Sequence, residues 1–443
     1  MTAAATGETA PVEIAPVETG ETEAEAPLLE RPAGPWEPVI DDWERLDELI
    51  DQLSVQRQPI ALDTERASGF RYYGHAYLIQ LKTVDGGAKL IDPIALADRP
   101  PADLSRLGAV INDREWILHA ASQDLPCLAE LGLSPVRLFD TELAARLVGR
   151  PRVGLGPLAE DLLGLRLRKD HAAADWSTRP LPEDWLVYAA LDVELLHQLR
   201  QLLQDELAAQ DKTEWAEQEF QHWLEWSKEP SSPPPDPWRR TAGLHLVRSR
   251  RGLAVVRQLW TDRDQLARQL DLAPSRLLND RGITDLAAQV SDSGTVDAAT
   301  LVAGSDWFRH RQAARHRPVW LTAVRRAAQS TEADWPPFKR SDDGPPPPRQ
   351  WKQTNPAAAR RWAQVRPAVD QRAEQLGLPP ENLIKPESLR RLAWSPRGRG
   401  ADAVAAQLGD LGARPWQCEQ VAPVVATAWA AAGRDSKGGA GSN

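Results

Sequence analysis

At 443 residues and a net charge of −10, with 42% apolar and 26% charged side chains, the chain has the composition of a soluble protein with a substantial core and the length of two to four domains. No stretch approaches the roughly 18 uninterrupted apolar residues of a membrane span, the N-terminus lacks the basic and apolar regions of a signal peptide, and two cysteines, Cys127 and Cys418, exclude a disulfide framework or a cysteine-built zinc site; together these predict a reducing, cytoplasmic setting. The charge is uneven: residues 1–230 hold 21 Lys and Arg against 42 Asp and Glu, whereas residues 231–443 hold 32 against 21, so the back half is the part expected to meet a polyanion.

Residues 1–35 read as a disordered acidic tail, since the first thirty contain seven Glu, no Lys or Arg, and repeated Ala, Pro and Thr. Residues 36–228 alternate strand and helix signals. Strands are predicted at Pro59–Glu65, Ala76–Leu81, Ala88–Asp92 and Trp116–Ala120. Helical spacing follows near 101–111, 122–131, 138–148, 156–163 and 183–206. That order predicts a mixed α/β layer fold. Proline-rich connectors at 229–237 and 336–349 set off two further bodies, 238–335 and 350–432, with almost no strand signal. These two repeat at an offset of 106 residues: Leu270–Leu278 aligns with Leu376–Ile384, and Ile283, Leu286 and Ala287 align with Leu389, Leu392 and Ala393. Apolar positions agree while polar ones drift, as expected for two copies of one small all-α core. The Gly- and Ser-rich segment 433–443 reads as a second tail.

Three segments of the first body carry chemistry. In Asp63-Thr-Glu65 the two carboxylates share one face of a strand, beside apolar Ile60 and Leu62. Like charges so close need protons or a cation, which makes the pair a candidate site for a hard metal; surface strands also carry such pairs. In Trp116-Ile-Leu-His-Ala-Ala-Ser-Gln-Asp124 an apolar strand enters a turn, Ser122 can cap a helix, and Asp124 falls in its first turn, where an acid also serves the helix dipole. In Pro182–Asp192 proline and two acids start a helix, and Tyr188 and Asp192 lie one turn apart on one face. Asp192 stands in an apolar run, where either a satisfied buried hydrogen bond or a metal would account for it.

Taken together, the ordered Asp-x-Glu, Asp and Tyr-x-x-x-Asp set resembles the DEDD superfamily of 3′–5′ exonucleases, in its tyrosine branch. Leu-Asp-Thr-Glu at 62–65, Leu-Ile-Gln at 78–80, Ile-Asp-Pro at 91–93, Leu-His-Ala at 118–120, Asp-Trp at 175–176, Arg-Pro-Leu at 179–181 and Tyr-Ala-Ala-Leu-Asp-Val at 188–193 narrow the resemblance to the ribonuclease D family. The two repeats look like HRDC domains. The resemblance implies a ribonuclease H-like exonuclease domain followed by two helical modules. It implies an enzyme that releases nucleoside 5′-monophosphates from RNA 3′ ends with two divalent cations, Mg²⁺ or Mn²⁺, in the processing of transfer RNA or other stable RNA. Asp63, Glu65, Asp124 and Asp192 would hold the ions, with Asp63 bridging them, and Tyr188 would orient the attacking water. Thr64 by its main chain, His119, Trp176 and Arg179 would contact the substrate. Arg66 departs from the family, which more often has an aromatic there. The basic clusters Arg239, Arg240, Arg248, Arg250, Arg251 and Arg309, Arg311, Arg315, Arg317 are expected to bind structured RNA. A DNA 3′–5′ exonuclease and a non-catalytic nucleic-acid adaptor are the alternatives; no membrane and no obligate protein partner is expected.

Overall fold

The computed structural model describes residues 26–34, 37–98, 100–168, 173–229, 234–339 and 344–438. Its strands are β1 Leu28–Leu29, β2 Ile60–Arg66, β3 Ala76–Thr83, β4 Lys89–Ile91, β5 Glu115–Leu118, β6 Arg137–Asp140 and β7 Arg166–Leu167. The same part of the chain forms helices α1 Trp43–Ser54, α2 Ser105–Ile111, α3 Leu125–Ala129, α4 Thr141–Leu147, α5 Leu155–Leu163, α6 Glu183–Glu194, α7 Leu196–Ala209 and α8 Thr213–Lys228. Among the described residues beyond 234 no strand occurs. There α9 Arg250–Leu270, α10 Pro274–Leu277, α11 Asp280–Ala288, α12 Ala298–Gly304, α13 Arg311–Arg315 and α14 Arg317–Gln329 are followed by α15 Trp351–Thr354, α16 Pro356–Gln375, α17 Pro380–Leu383, α18 Pro386–Trp394, α19 Ala401–Asp410 and α20 Pro415–Gly438.

The five-stranded sheet has the order β4-β3-β2-β5-β6, with β3 antiparallel to both its neighbours and β2, β5 and β6 parallel. Alternation along β2 sends Ile60 and Leu62 into the main core with Ile79, Leu81, Trp116 and Leu118. The opposite face carries Ala61, Asp63 and Glu65. There Ala61 and Ile117 pack on Val193 and Leu196, and Ala189 and Ala190 of α6 pack against Leu78. Two alanines at the contact let α6 lie close to the sheet.

Besides shifts of a few residues at element ends and the unpredicted α1, α8 and β7, the structure departs from the predicted elements at four places. Residues 137–140 form strand β6 rather than the start of a helix. Leu138 and Phe139 fill the core, and Asp140 caps α4 by accepting from the N–H groups of Glu142 and Leu143, so the helix cannot begin earlier. The helix expected over 183–206 divides at Leu195 into α6 and α7. The N-terminal tail, expected to reach residue 35, ends sooner: Leu28–Leu29 pairs in parallel with Arg166–Leu167, because two leucines supply the apolar surface the Glu-rich stretch lacks. Residues 1–25 lie outside the described residues, as do 230–233 and 340–343 of the two connectors. At the other end α20 runs to Gly438, past the expected tail boundary at 433; extending an existing helix adds one bond per residue with no new nucleation.

The internal repeat appears as matching helices. The short helices α10 and α17 and the nine-residue helices α11 and α18 each start 106 positions apart. The two copies are used differently. The first has its own core, built on Leu253, Val256, Leu259, Ile283, Leu286 and Trp320. The second shares the core of the α/β body, with Val365, Leu389 and Trp416 in the same apolar cluster as Leu62 and Leu203. At that seam Trp215 of α8 stacks on Trp416 with centroids 4.7 Å apart. Glu219 pairs with Arg414 at 2.6 Å and accepts from the Trp416 indole at 2.9 Å. The buried Lys212 ammonium donates to the carbonyls of Leu147 and Leu376, one from each body, and burial holds its pKa below the usual lysine value.

The first copy meets the α/β body through the loop between β2 and β3. Asp271 accepts from the Tyr72 N–H, Ala273 N–H donates to the Phe70 carbonyl, and Arg276 donates to the Gly69 carbonyl while lying 3.8 Å over the Phe70 ring. Part of the predicted basic surface is therefore structural. Arg239 holds Asp236 and the Pro337 carbonyl, Arg250 holds the Trp335 carbonyl, and Arg251 holds those of Gly294 and Ala328.

Gly149 sits at the seam with φ 83°, and a Cβ there would overlap the Gly377 carbonyl oxygen. Gly149→Ala should therefore lower unfolding stability by about 2 kcal/mol or more through strain and displacement of the second helical body. A denaturant midpoint equal to that of the unsubstituted protein would contradict the described seam.

Candidate active site

The site forms where β2 ends beneath α6. Asp63 and Glu65 point to the face covered by α6, opposite Gln80 and Leu78 on β3. Asp192 comes down from α6 onto the same spot. Carboxylate oxygens of Asp63, Glu65 and Asp192 lie within 4.8 Å of one another. Tyr188, one turn earlier on α6, hydrogen-bonds to Asp192.

Asp124 stands just outside this group. It follows a turn, Ala121–Gln123, in which Ala120 adopts φ 60°. The expected cap at Ser122 is not made; Asp140 anchors the turn instead, accepting from the N–H groups of Ala120 and Ala121 at 3.1 and 2.8 Å. The Asp124 carboxylate is buried and accepts from the Thr64 hydroxyl at 2.6 Å. Thr64 thus works through its side chain, from the face of β2 opposite Asp63 and Glu65, while its backbone is in the sheet paired with Ile79.

The site is overcharged and partly withdrawn from water: Glu65 is buried, and Asp63 and Asp192 are half-buried. Burial first, then the neighbouring carboxylates, hold the Asp63 carboxyl well above its ordinary range. Burial and the charges of Asp192 and Asp124 push Glu65 up to about 9. Burial raises Asp192 to about 7, against the Tyr188 hydrogen bond that lowers it, and raises Asp124 to about 6 against the Thr64 bond. The Tyr188 hydroxyl is held above the usual tyrosine value by burial and by the same acids, so it stays protonated. Four carboxylates with one nearby cation, Arg66, require either protons or metal ions. Oxygen donors alone, in an acidic and dry setting, fit a hard divalent cation.

The sequence-predicted contacts divide. His119 is half-buried against the start of α4, its Nδ1 2.9 Å from the Thr141 hydroxyl, and burial lowers its pKa to about 4, so it is neutral. Trp176 is not an accessible stacking surface. It is completely buried with Leu78 and Ala190 and meets Trp185 edge-on at 5.4 Å. Arg179 is likewise occupied, as its guanidinium clamps both oxygens of buried Asp92 at 2.6 and 2.8 Å and donates to the Tyr77 carbonyl. Both residues build the wall of the site. Sequence reasoning missed Asp140 and Gln80. Gln80 is fully buried opposite Asp63 with neither side-chain polar atom hydrogen-bonded among the described residues. A glutamine in the apolar run Tyr77-Leu-Ile-Gln-Leu81, on the register of the acids, was the available signal.

Comparison with known proteins agrees with this geometry. A family described as 3′-5′ exonuclease matches residues 38–208, and one described as 3′ to 5′ exonuclease C-terminal domain matches residues 344–429, together more than half of the chain. Ribonuclease D of Gluconacetobacter diazotrophicus is 32% identical over 274 residues, covering 60% of this chain and 66% of that one. Ribonuclease D of Granulibacter bethesdensis is 28% identical over 378 residues, covering 81% and 90%. The chain belongs to the ribonuclease D family. A protein from Bifidobacterium adolescentis superposes with TM-score 0.80 at 38% identity, covering 91% of this chain and 99% of that one. Escherichia coli RNase D shares the fold, with TM-score 0.64 at 24% identity, covering 89% and 98%. Asp63, Glu65, Asp124, Tyr188 and Asp192 all fall within the matched exonuclease segment of this ribonuclease D relative.

Each raised carboxyl binds its proton more tightly in the fold than in the unfolded chain. Native protein therefore holds more protons, and stability falls as pH rises from the ordinary carboxylate range to about 9. Calorimetry in EDTA should show a Tm that declines between about pH 5 and 9, and Mn²⁺ should restore it most at high pH, where protons no longer compete. A flat Tm with no gain from Mn²⁺ would contradict the buried acid cluster. Arg179→Met, which strands Asp92, should lower stability by about 3 kcal/mol in denaturant titration; unchanged stability would contradict the clamp.

Proposed function

We propose that this chain is a metal-dependent 3′–5′ exoribonuclease that releases nucleoside 5′-monophosphates by two-metal hydrolysis in the 3′ processing of transfer RNA or other stable RNA, acting in the cytoplasm. The observation that carries the reading is the buried cluster of Asp63, Glu65 and Asp192 with Tyr188 bonded to it, in a chain of the ribonuclease D family. Among the described residues no helix is long and apolar enough to cross a membrane.

In this reading Asp63, Glu65 and Asp192 would hold a divalent ion, and Asp124 beside them would help to hold a second. Bound there, Mg²⁺ or Mn²⁺ supplies an activated water and offsets charge at the phosphate. The residues of the chain do the rest. Thr64 fixes the Asp124 carboxylate. Tyr188, kept protonated, directs its hydroxyl as a hydrogen-bond donor in the pocket beside Asp192. Neutral His119 would contact the terminal sugar as a hydrogen-bond partner, while Thr64 acts through the Asp124 carboxylate it holds. Water adds to the last phosphorus, the bond to the preceding 3′ oxygen breaks, and a nucleoside 5′-monophosphate leaves behind a new 3′ hydroxyl. Further out, exposed Arg311, Arg315 and Arg317 extend the path for the RNA backbone; α13 touches α10, which docks on the loop after β2.

Incubation of 5′-labelled RNA with Mg²⁺ or Mn²⁺ should give a ladder shortening from the 3′ end and mononucleotide product. Asp63→Ala and Asp192→Ala should abolish it while the protein stays folded. Tyr188→Phe should lower kcat about tenfold to a hundredfold with little change in KM. A folded protein that yields no mononucleotide with either metal, or that cuts a matched DNA strand as fast as RNA, would contradict the reading.

A further inference from the structure

We propose that Arg66 seats an RNA phosphate at the mouth of the carboxylate pocket, and so acts as a positioning residue for the substrate strand. This rests on the exoribonuclease reading and deepens it. Arg66 ends β2 one residue beyond Glu65. The sheet register slips there: Glu65 pairs with Leu78 and Arg66 with Ala76, so Tyr77 is the extra residue on β3. Such a bulge re-aims the side chains beside it. Arg66 turns toward the Asp124 side of the site, where its Nη2 donates to the Gln123 side-chain oxygen at 3.0 Å. Its charge reaches both Glu65 and Asp124.

Among the described residues three other basic groups of this part of the chain are already spent. Arg179 is paired with Asp92 at 2.6 Å, Lys82 lies 3.5 Å from Glu194, and His119 is neutral. Among the described residues Arg66 forms no ion pair, and Gln123 is its one hydrogen-bond partner. One bond to Gln123 fixes the guanidinium and leaves most of its donor fork open, a geometry that suits two oxygens of a phosphate. A pocket of four acids repels an incoming polyanion, so a fixed cation at its rim has the most to contribute before the strand is seated. The Gln123 bond, itself open to solvent, holds the charge beside the acids, where an incoming phosphate can reach it.

The test compares the unsubstituted protein with Arg66→Ala, Arg66→Lys and Gln123→Ala on a 5′-labelled single-stranded RNA. It reads kcat, KM and Tm in Mn²⁺, with KM followed across a salt series. Arg66→Ala should raise KM about tenfold to a hundredfold, as loss of a charge-assisted hydrogen bond does, with kcat changed less than about threefold and Tm unchanged. The slope of log KM against log salt should fall by about 0.7, one phosphate contact on a single strand. Arg66→Lys should restore the slope without the full affinity, and Gln123→Ala should raise KM less than Arg66→Ala does. If the unsubstituted protein trims RNA but Arg66→Ala keeps its KM and salt slope, or loses kcat alone, the assignment to Arg66 is overturned and the nuclease reading stands. If the unsubstituted protein does not trim RNA, the nuclease reading fails and takes this assignment with it.

Discussion

Three carboxylates forced together, one buried and two half-buried, constitute the interaction on which the rest of the site depends. Asp63, Glu65 and Asp192 come from a strand and a helix more than a hundred residues apart, and among the described residues only the Arg66 charge offsets them in part. Left alone the group would be costly, which is why its carboxyl pKa values rise so far. The fold tolerates the arrangement because everything around it is rigid: β2 is a central strand, α6 is pinned on alanines, and Asp140 anchors the turn that carries Asp124. A site that repels itself when empty is poised to gain when charge of the opposite sign enters it.

The surrounding architecture serves the same end. The second helical body is built into the core of the exonuclease body, with Lys212, Glu219 and Arg414 satisfying buried polar groups across the seam. The first helical body keeps a separate core and touches the loop immediately after the catalytic strand, through Asp271, Ala273 and Arg276. One copy of the repeat has thus become a brace and the other a neighbour of the loop that follows β2. Divergence of the polar positions between the two copies is what such a division of labour requires.

Much of this was legible in the chain alone. Period-two alternation placed Asp63 and Glu65 on one face, and four-residue spacing placed Tyr188 and Asp192 on one face of a helix; both are local rules, and both predicted the right geometry. The repeat offset was legible because apolar positions report a core. What failed depended on long-range packing. Trp176 reads equally well as a stacking surface or a core anchor, and only the arrival of Leu78 and Ala190 around it decides. Arg179 looks like a phosphate ligand until Asp92, 87 residues away, takes it. Arg250 and Arg251 look like a basic patch until the carbonyls of a later segment claim them. Strand β6 was hidden because Arg137–Asp140 is short and runs directly into its helix cap.

The most direct measurement is anomalous scattering from crystals of the full chain soaked in Mn²⁺. The expected result is two peaks in the pocket, one enclosed by Asp63, Glu65 and Asp192 and one on the Asp124 side. Well-ordered crystals in which Asp63, Glu65 and Asp192 bind no ion, or in which their carboxylates point apart into solvent, would contradict the claim that this buried cluster is a metal centre.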